Sequence, residues 1–324
     1  MRSFPTPKIV VSKCLEFDAC RYNGDVLKDM TVQTLMPYVE FIPICPEVEI
    51  GLGTPRETVR LVSQDGETRM IQPSSKKDLT EDMNTFTKGF LKSIPDVDGF
   101  ILKNRSPSCG TRDVRIYSGI EKAPVKEKGS GLFGGMVLDQ FGMLAVEEEG
   151  RLTNFTIREH FLTKLYTLAA FRELKKEPTI QKLIQFQSVN KYLFMAYNQT
   201  RLKNMGRIIA NHKTYDTIDQ VYEEYETELH RMFQKAARYT SNINVCQHIM
   251  GYFSDDLSKK ERDHFLHLLE RYKSRKIPLS NLLSILKSWV LRFDNDYLLQ
   301  QSFFEPYPED LVEMADSGKG RSYA

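Results

Sequence analysis

The sequence predicts an α/β N-terminal domain with a largely parallel sheet, followed by an all-α helical bundle. Two observations carry this reading. In the first 150 residues, short β-like apolar runs alternate with helical stretches, the pattern of strands joined by crossover helices. From residue 154 onward the apolar positions recur at period 3.6 and no convincing strand remains. The 324 residues suffice for two ordinary domains with sizeable cores. Apolar content of 41% and charged content of 27% are those of a soluble globular protein.

The elements follow in order. PKIVVSKC (7–14) reads as a buried strand ending at Cys14, with a helix expected over about 26–37. VEFIPICPE (39–47) holds a second strand, ending at Cys45. DLTEDMNTFTKGFLKSI (78–94) is helical, and VDGFILKN (97–104) is a third strand shortly before Cys109. KEKGSGLFGG (126–135) contains a G-x-G-x-x-G string at Gly129, Gly131 and Gly134. A dinucleotide fingerprint follows the first strand of its domain and has an acidic residue about 20 positions later. This string comes late, so it reads as a loop allowing close backbone approach. LAVEEEGRLTN (144–154) reads as a short strand, an acid run and a turn, and marks the junction between a domain at 1–152 and a second at 153–312. Helices are expected at 154–174, 179–198, 216–239, 257–273 and 279–298, the last carrying the only tryptophan, Trp289. The polar residues 313–324 read as a disordered tail.

No apolar run approaches the roughly 18–20 residues of a membrane span, and the N-terminus lacks a signal-peptide pattern. A cytoplasmic location without membrane association is the expectation. Residues 1–150 hold 19 Lys and Arg against 22 Asp and Glu, and the remainder holds 26 against 21. The basic second half is compatible with a nucleic-acid partner without demanding one. Its basic, aromatic-bearing stretch 190–213 is the candidate nucleic-acid face, with Lys191, Arg201, Lys203, Arg207 and Lys213 as its cations. In the same half, Cys246 and His248 are two apart and do not share a helix face, so His248 reads as a buried packing residue. His264 and His267 can share a face but lack a third ligand.

Five cysteines, Cys14, Cys20, Cys45, Cys109 and Cys246, are an odd count in a long chain, which argues against a disulfide framework. Three of them follow three expected strands in the same sense. In a parallel sheet such positions converge beyond the carboxyl ends of the strands. No C-x₂₋₄-C pair of the zinc type is present, nor ferredoxin spacing. All six histidines lie at or after His160, which argues against a Cys–His nucleophile pair within the first domain. Spacing alone leaves buried thiols, a nucleophile and metal ligands open.

The strings VSKCL…CRYNG (11–24), CPEVEIGLGTPR (45–56) and LKNRSPSCG (102–110) occur in order and resemble the DUF523 family of thiouracil desulfidases. The resemblance covers about residues 7–152. KYLFMAYN (191–198), MGRIIAN (205–211), NVCQHIMGYFSDDLSKKE (244–261) and RYKSRKIPLSNLLSIL (271–286) are similar to DUF1722, and the fusion resembles tRNA 4-thiouridine desulfidases. That resemblance implies a 4Fe–4S cluster bound by Cys14, Cys45 and Cys109 with one open iron, and Cys20 as the second choice of ligand. It implies sulfur removal from 4-thiouridine in tRNA by a non-redox hydrolysis to uridine and sulfide; no obligate protein partner is inferred. It also lifts Glu47 and Ser106 to catalytic candidates, with Ser108 as the alternative to Ser106. Arg21, Tyr22, Arg56 and Lys103 are weaker candidates for orienting the base or phosphates. Two other readings accompany this one: a desulfidase of free thiouracils, and a non-enzymatic metal- or redox-sensing interaction protein.

Overall fold

The computed structural model describes residues 2–312, so the expected tail at 313–324 lies outside the described residues. The chain divides into two compact units, one spanning Pro5–Ala169 and the other Ala170–Glu309.

In the first unit, the apolar runs form the strands expected of them. β1 (Lys8–Ser12) and β2 (Glu40–Ile44) are followed in chain order by β3 (Arg60–Gln64), β4 (Glu67–Gln72) and β5 (Lys77–Asp78). Then come β6 (Gly99–Leu102), β7 (Val114–Tyr117), β8 (Val125–Gly129) and β9 (Ala145–Glu148). One sheet has the order β2-β1-β6-β9, all neighbours parallel. β1 and β6 are central and buried along nearly their whole length, the composition a doubly covered parallel strand requires. Because every strand runs the same way, the segments after Ser12, Ile44, Leu102 and Glu148 leave from one edge.

A second sheet, β5-β4-β3-β7-β8, is mixed, with three of its four pairings antiparallel. The sequence reading contains no such sheet. Its strands carry polar and charged residues at most positions, RLVSQ and ETRMIQ for example, and do not stand out as apolar runs.

Six helices begin in this unit: α1 (Met30–Leu35), α2 (Pro46–Glu49), α3 (Thr80–Ser93), α4 (Leu132–Phe141), α5 (Glu149–Leu152) and α6 (Phe155–Leu174). Asp29 caps α1 by accepting from the Val32 N–H. α3 turns Met83, Thr87 and Leu91 inward, and α4 turns Phe133 and Val137 inward. They meet Val10, Phe100, Leu102 and Leu61 in one apolar core.

The second unit is helical throughout its described residues. It holds the end of α6 and then α7 (Ile180–Val189), α8 (Lys191–Tyr197), α9 (Gln199–Ala210), α10 (Ile218–Met232), α11 (Tyr239–Gly251), α12 (Lys259–Lys273), α13 (Leu279–Arg292) and α14 (Asp296–Leu299). The helix expected at 179–198 is two helices that meet at Asn190, and the one at 279–298 ends at Arg292 before a short separate turn of helix. α9 and α11 had no counterpart in the sequence reading. Phe171 stacks on Tyr225 at 5.6 Å and meets Phe186 edge-on at 5.5 Å. Cys246, Phe253, Phe265 and Trp289 share a second apolar cluster. Among the described residues, no helix is long and apolar enough to cross a membrane.

Candidate functional site

Four thiols gather at the carboxyl edge of the parallel sheet. Cys14 follows β1 by two residues, Cys45 follows β2 directly, and Cys109 sits in the loop after β6. Cys45 is also the N-cap of α2, with Pro46 in the first helical position, where its missing N–H costs no hydrogen bond. The Cys20 thiol hydrogen-bonds with those of Cys14 and Cys45, and the Cys45 thiol also donates to the Cys20 carbonyl at 3.8 Å. The bond with Cys14, followed by burial, leaves the Cys20 thiol pushed up to about 11. Cys45 is raised further, by its bond to Cys20 and by burial.

Cys109 is 6% exposed and packs in the apolar core. Its burial outweighs hydrogen bonds from Ser12 and Ser108, and the thiol is pushed up to about 12. The turn around it is rich in polar residues, yet it is not a solvated turn, because its polar groups are satisfied inside the fold. Gly131 N–H donates to Gly110 O at 2.7 Å, Gly134 N–H to Ser108 O at 2.9 Å and Leu132 N–H to Pro107 O at 3.2 Å. A Cβ at Gly131 would sit 2.4 Å from Ser108 O, and one at Gly134 2.5 Å from Cys109 O. The glycine string therefore lets the start of α4 lie directly on the Cys109 turn.

A line of hydrogen bonds runs past these thiols. Ser106 Oγ and Ser108 Oγ are 2.9 Å apart. Ser108 donates to Glu47 Oε1 at 2.7 Å, while Glu47 Oε2 accepts from Arg56 Nε at 2.9 Å and Nη2 at 2.6 Å. Ser106 Oγ also accepts from the Cys109 N–H at 3.1 Å. Glu47 is buried, so it is not a solvated turn acid. Arg56 does not face solvent as a phosphate-binding cation would; its side chain is 7% exposed and its guanidinium is spent on Glu47.

The acid run at the end of β9 and the start of α5 also belongs to this edge. Glu147, Glu148 and Glu149 are all buried. Glu149 accepts from Lys103 Nζ and, at 2.7 Å, from the Asn104 N–H. Glu148 Oε1 accepts from the Thr111 N–H at 2.7 Å, Thr111 Oγ1 at 3.0 Å and the Arg112 N–H at 3.1 Å. One foot of the Cys109 loop is thus tied to the start of α5 through Glu149 and the other to the end of β9 through Glu148. Lys103, offered as a substrate-orienting cation, is engaged in this tie. The sequence reading took the run for a junction and missed its role. The signal was available: β9, parallel to β6, ends at the same edge as Cys109. Ser12, buried at the end of β1, was missed too; it accepts the Lys103 N–H at 2.9 Å and reaches Cys109. Arg21 and Tyr22 are at the surface, the guanidinium 5.6 Å from the ring centroid, and Tyr22 O accepts the Arg56 N–H at 2.7 Å.

Among the described residues, no group of three His, Cys, Asp or Glu side chains is arranged to hold a single metal ion. The donor chemistry nevertheless suits a sulfur-loving group. The thiols converge from three neighbouring parallel strands, and the Ser12 hydroxyl donates toward Cys109 sulfur, with Ser108 Oγ 3.7 Å from the same atom.

In the helical unit, the candidate residues separate. Tyr192 and Phe194 of stretch 190–213 are buried in the core. Arg201 pairs with the buried Glu228 at 3.1 Å, while Lys203, Arg207 and Lys213 are exposed. Cys246 is fully buried and pushed up to about 12 by that burial. His248 is exposed rather than buried, because two residues along a helix turns it to the opposite side from Cys246. His264 and His267 are exposed as well.

Thiols, a carboxylate and hydroxyls brought together beyond the ends of parallel strands define an α/β enzyme with a cysteine-based site. The chain belongs to the 2-thiouracil desulfurase family, whose description matches residues 9–149, while residues 191–308 match the protein of unknown function DUF1722. It is 33% identical over 150 residues to YbbK of Bacillus subtilis, an alignment covering 43% of this chain and 95% of that protein. It is 24% identical over 158 residues to YbgA of Escherichia coli, covering 48% and 93% respectively. A solved structure, that of a [4Fe-4S]-dependent thiouracil desulfidase, TudS, is 27% identical with a TM-score of 0.36, covering 45% of this chain and 93% of that one.

Proposed function

We propose that the protein is an iron–sulfur-dependent desulfidase that converts 4-thiouridine in tRNA to uridine and sulfide by hydrolysis. The observation that carries this reading is the convergence of Cys14, Cys45 and Cys109 at one sheet edge beside the line formed by buried Glu47, buried Ser108 and half-buried Ser106, in a chain of this family. Those three cysteines would hold a 4Fe–4S cluster with one iron free of a protein ligand, and Cys20 would be a neighbouring thiol. When bound, the cluster supplies a soft Lewis-acidic iron for the thione sulfur. Glu47 accepts the proton of the attacking water at Oε1, and Ser106 donates to the base. The net reaction replaces C=S with C=O, takes up water and releases sulfide, so no electron donor enters. Residues 1–152 carry the chemistry, and residues 153–312 hold the RNA through Lys203, Arg207 and Lys213.

The test is anaerobic reconstitution followed by turnover of thiolated tRNA. About four irons and four sulfides per chain, with sulfide released from the tRNA, are expected. One zinc and no sulfide would overturn the cofactor. The match to the 2-thiouracil desulfurase family favours a second reading, free thiouracil as substrate; turnover of 2-thiouracil without turnover of tRNA establishes it.

A further inference from the structure

We propose that Arg56 is the positioning residue of this site. Its guanidinium fixes which carboxylate oxygen of Glu47 is available and ties that carboxylate to the turn carrying Cys20. The proposal rests on the desulfidase reading for its kinetic test.

Arg56 makes more directed contacts than any packing role needs. Nε and Nη2 both bind Glu47 Oε2, at 2.9 and 2.6 Å. Nη1 binds Cys20 O at 2.8 Å and Gly53 O at 3.4 Å, and the backbone N–H binds Tyr22 O at 2.7 Å. One side chain therefore joins the loop after β1, the helix begun by Cys45 and its own loop. With Oε2 spent on the fork, Oε1 is left to Ser108, and the carboxylate cannot rotate without breaking two bonds. The Arg56 side chain is 7% exposed and that of Glu47 11%, so solvent does not substitute for either partner. A lysine keeps the charge but offers a single nitrogen on a flexible stem, and cannot reach Glu47 and two carbonyls with the same geometry. The bonds of Arg56 run to a carboxylate and to backbone carbonyls, so it acts through Glu47 and the Cys20 turn.

Arg56→Lys and Arg56→Ala are reconstituted beside the wild type, and iron per chain, absorption near 400 nm, KM and kcat are read on the same samples. Arg56→Lys is expected to keep iron and KM while kcat per loaded chain falls about 100-fold, the cost of a displacement of roughly an ångström. Guanidinium in solution restores part of the kcat of Arg56→Ala. An unchanged kcat per iron, or a raised KM at unchanged kcat, overturns the proposal. If the loaded wild type turns over neither thiolated tRNA nor 2-thiouracil, the desulfidase reading falls separately. Arg56 is then judged on the cluster-free protein by iodoacetamide labelling of Cys20 and Cys45. Faster labelling in Arg56→Lys upholds the tie, and equal rates overturn it.

Discussion

Cys14, Cys45 and Cys109 are 31 and 64 residues apart in the chain, and only parallel strand order brings them to one edge. Substituting each by Ala is expected to abolish iron binding, while Cys20→Ala keeps most of it, as read by iron per chain after reconstitution. The buried Glu47–Arg56 pair makes a second prediction. Removing one partner of such a pair strands the other charge, so Glu47→Ala is expected to lower unfolding free energy by about 3 kcal/mol, measured by urea titration of the cluster-free protein. Replacing both residues with Met costs less than the sum, because no unpaired charge remains. At this scale the cysteines were legible, since each follows an apolar run. Glu47 was legible as a candidate, but its partner was not. Nothing in TPR (54–56) says that Arg56 turns inward, because pairing across nine residues depends on where the loop folds.

Between α4 and the Cys109 turn, the contact is backbone on backbone. A Cβ at Gly134 would meet Gly110 O at 2.4 Å and Cys109 O at 2.5 Å, and neither atom can move aside as a side chain can. Gly134→Ala is expected to destabilise by about 1–3 kcal/mol and to reduce iron uptake. Gly89, exposed in α3 with nothing within 4 Å of its Cβ position, is the contrast: Gly89→Ala is expected to stabilise by up to about 1 kcal/mol. Thermal unfolding of both variants checks the pair. α6 carries a pH-dependent element. Lys164 is buried, and desolvation pushes its ammonium down to about 8 from an ordinary 10.5, against the pull of Glu147. Between those values the unfolded chain binds more protons at this position than the folded one, so stability rises with pH there. Lys164→Met removes that rise and is expected to stabilise the protein at pH 7 by about 2–3 kcal/mol, which urea midpoints at pH 7 and pH 10 compare. The central strands and amphipathic helices were readable from periodicity. The mixed sheet was not, because its strands satisfy the backbone ladder with mostly polar side chains and bury few of them.

Over the whole chain, the proposed division of labour makes predictions about both packing and charge. The unit that holds the thiols continues to Ala169, and Leu165 of α6 lies 3.2 Å from the position of a Cβ on Gly99 in β6. A chain ending at residue 152 lacks this cover and is expected to aggregate. One ending at residue 174 is expected to bind iron and, on the proposed reading, to turn over 2-thiouracil while losing tRNA affinity. The cations that remain for RNA are fewer than the basic stretch advertised. Arg201 is spent on Glu228, Lys191 is half-buried with its ammonium 5.6 Å from the Tyr192 ring centroid, and Tyr192 and Phe194 are in the core, which leaves Lys203, Arg207 and Lys213 exposed on or just after α9. Three phosphate contacts predict that log K for tRNA falls against log salt with a slope of about −2 to −3. Replacing all three by Ala is expected to flatten that slope and to weaken binding, while leaving turnover of free 2-thiouracil unchanged. Filter binding across a salt series measures it, and a slope that stays the same in the triple variant would remove these residues from the RNA-binding surface.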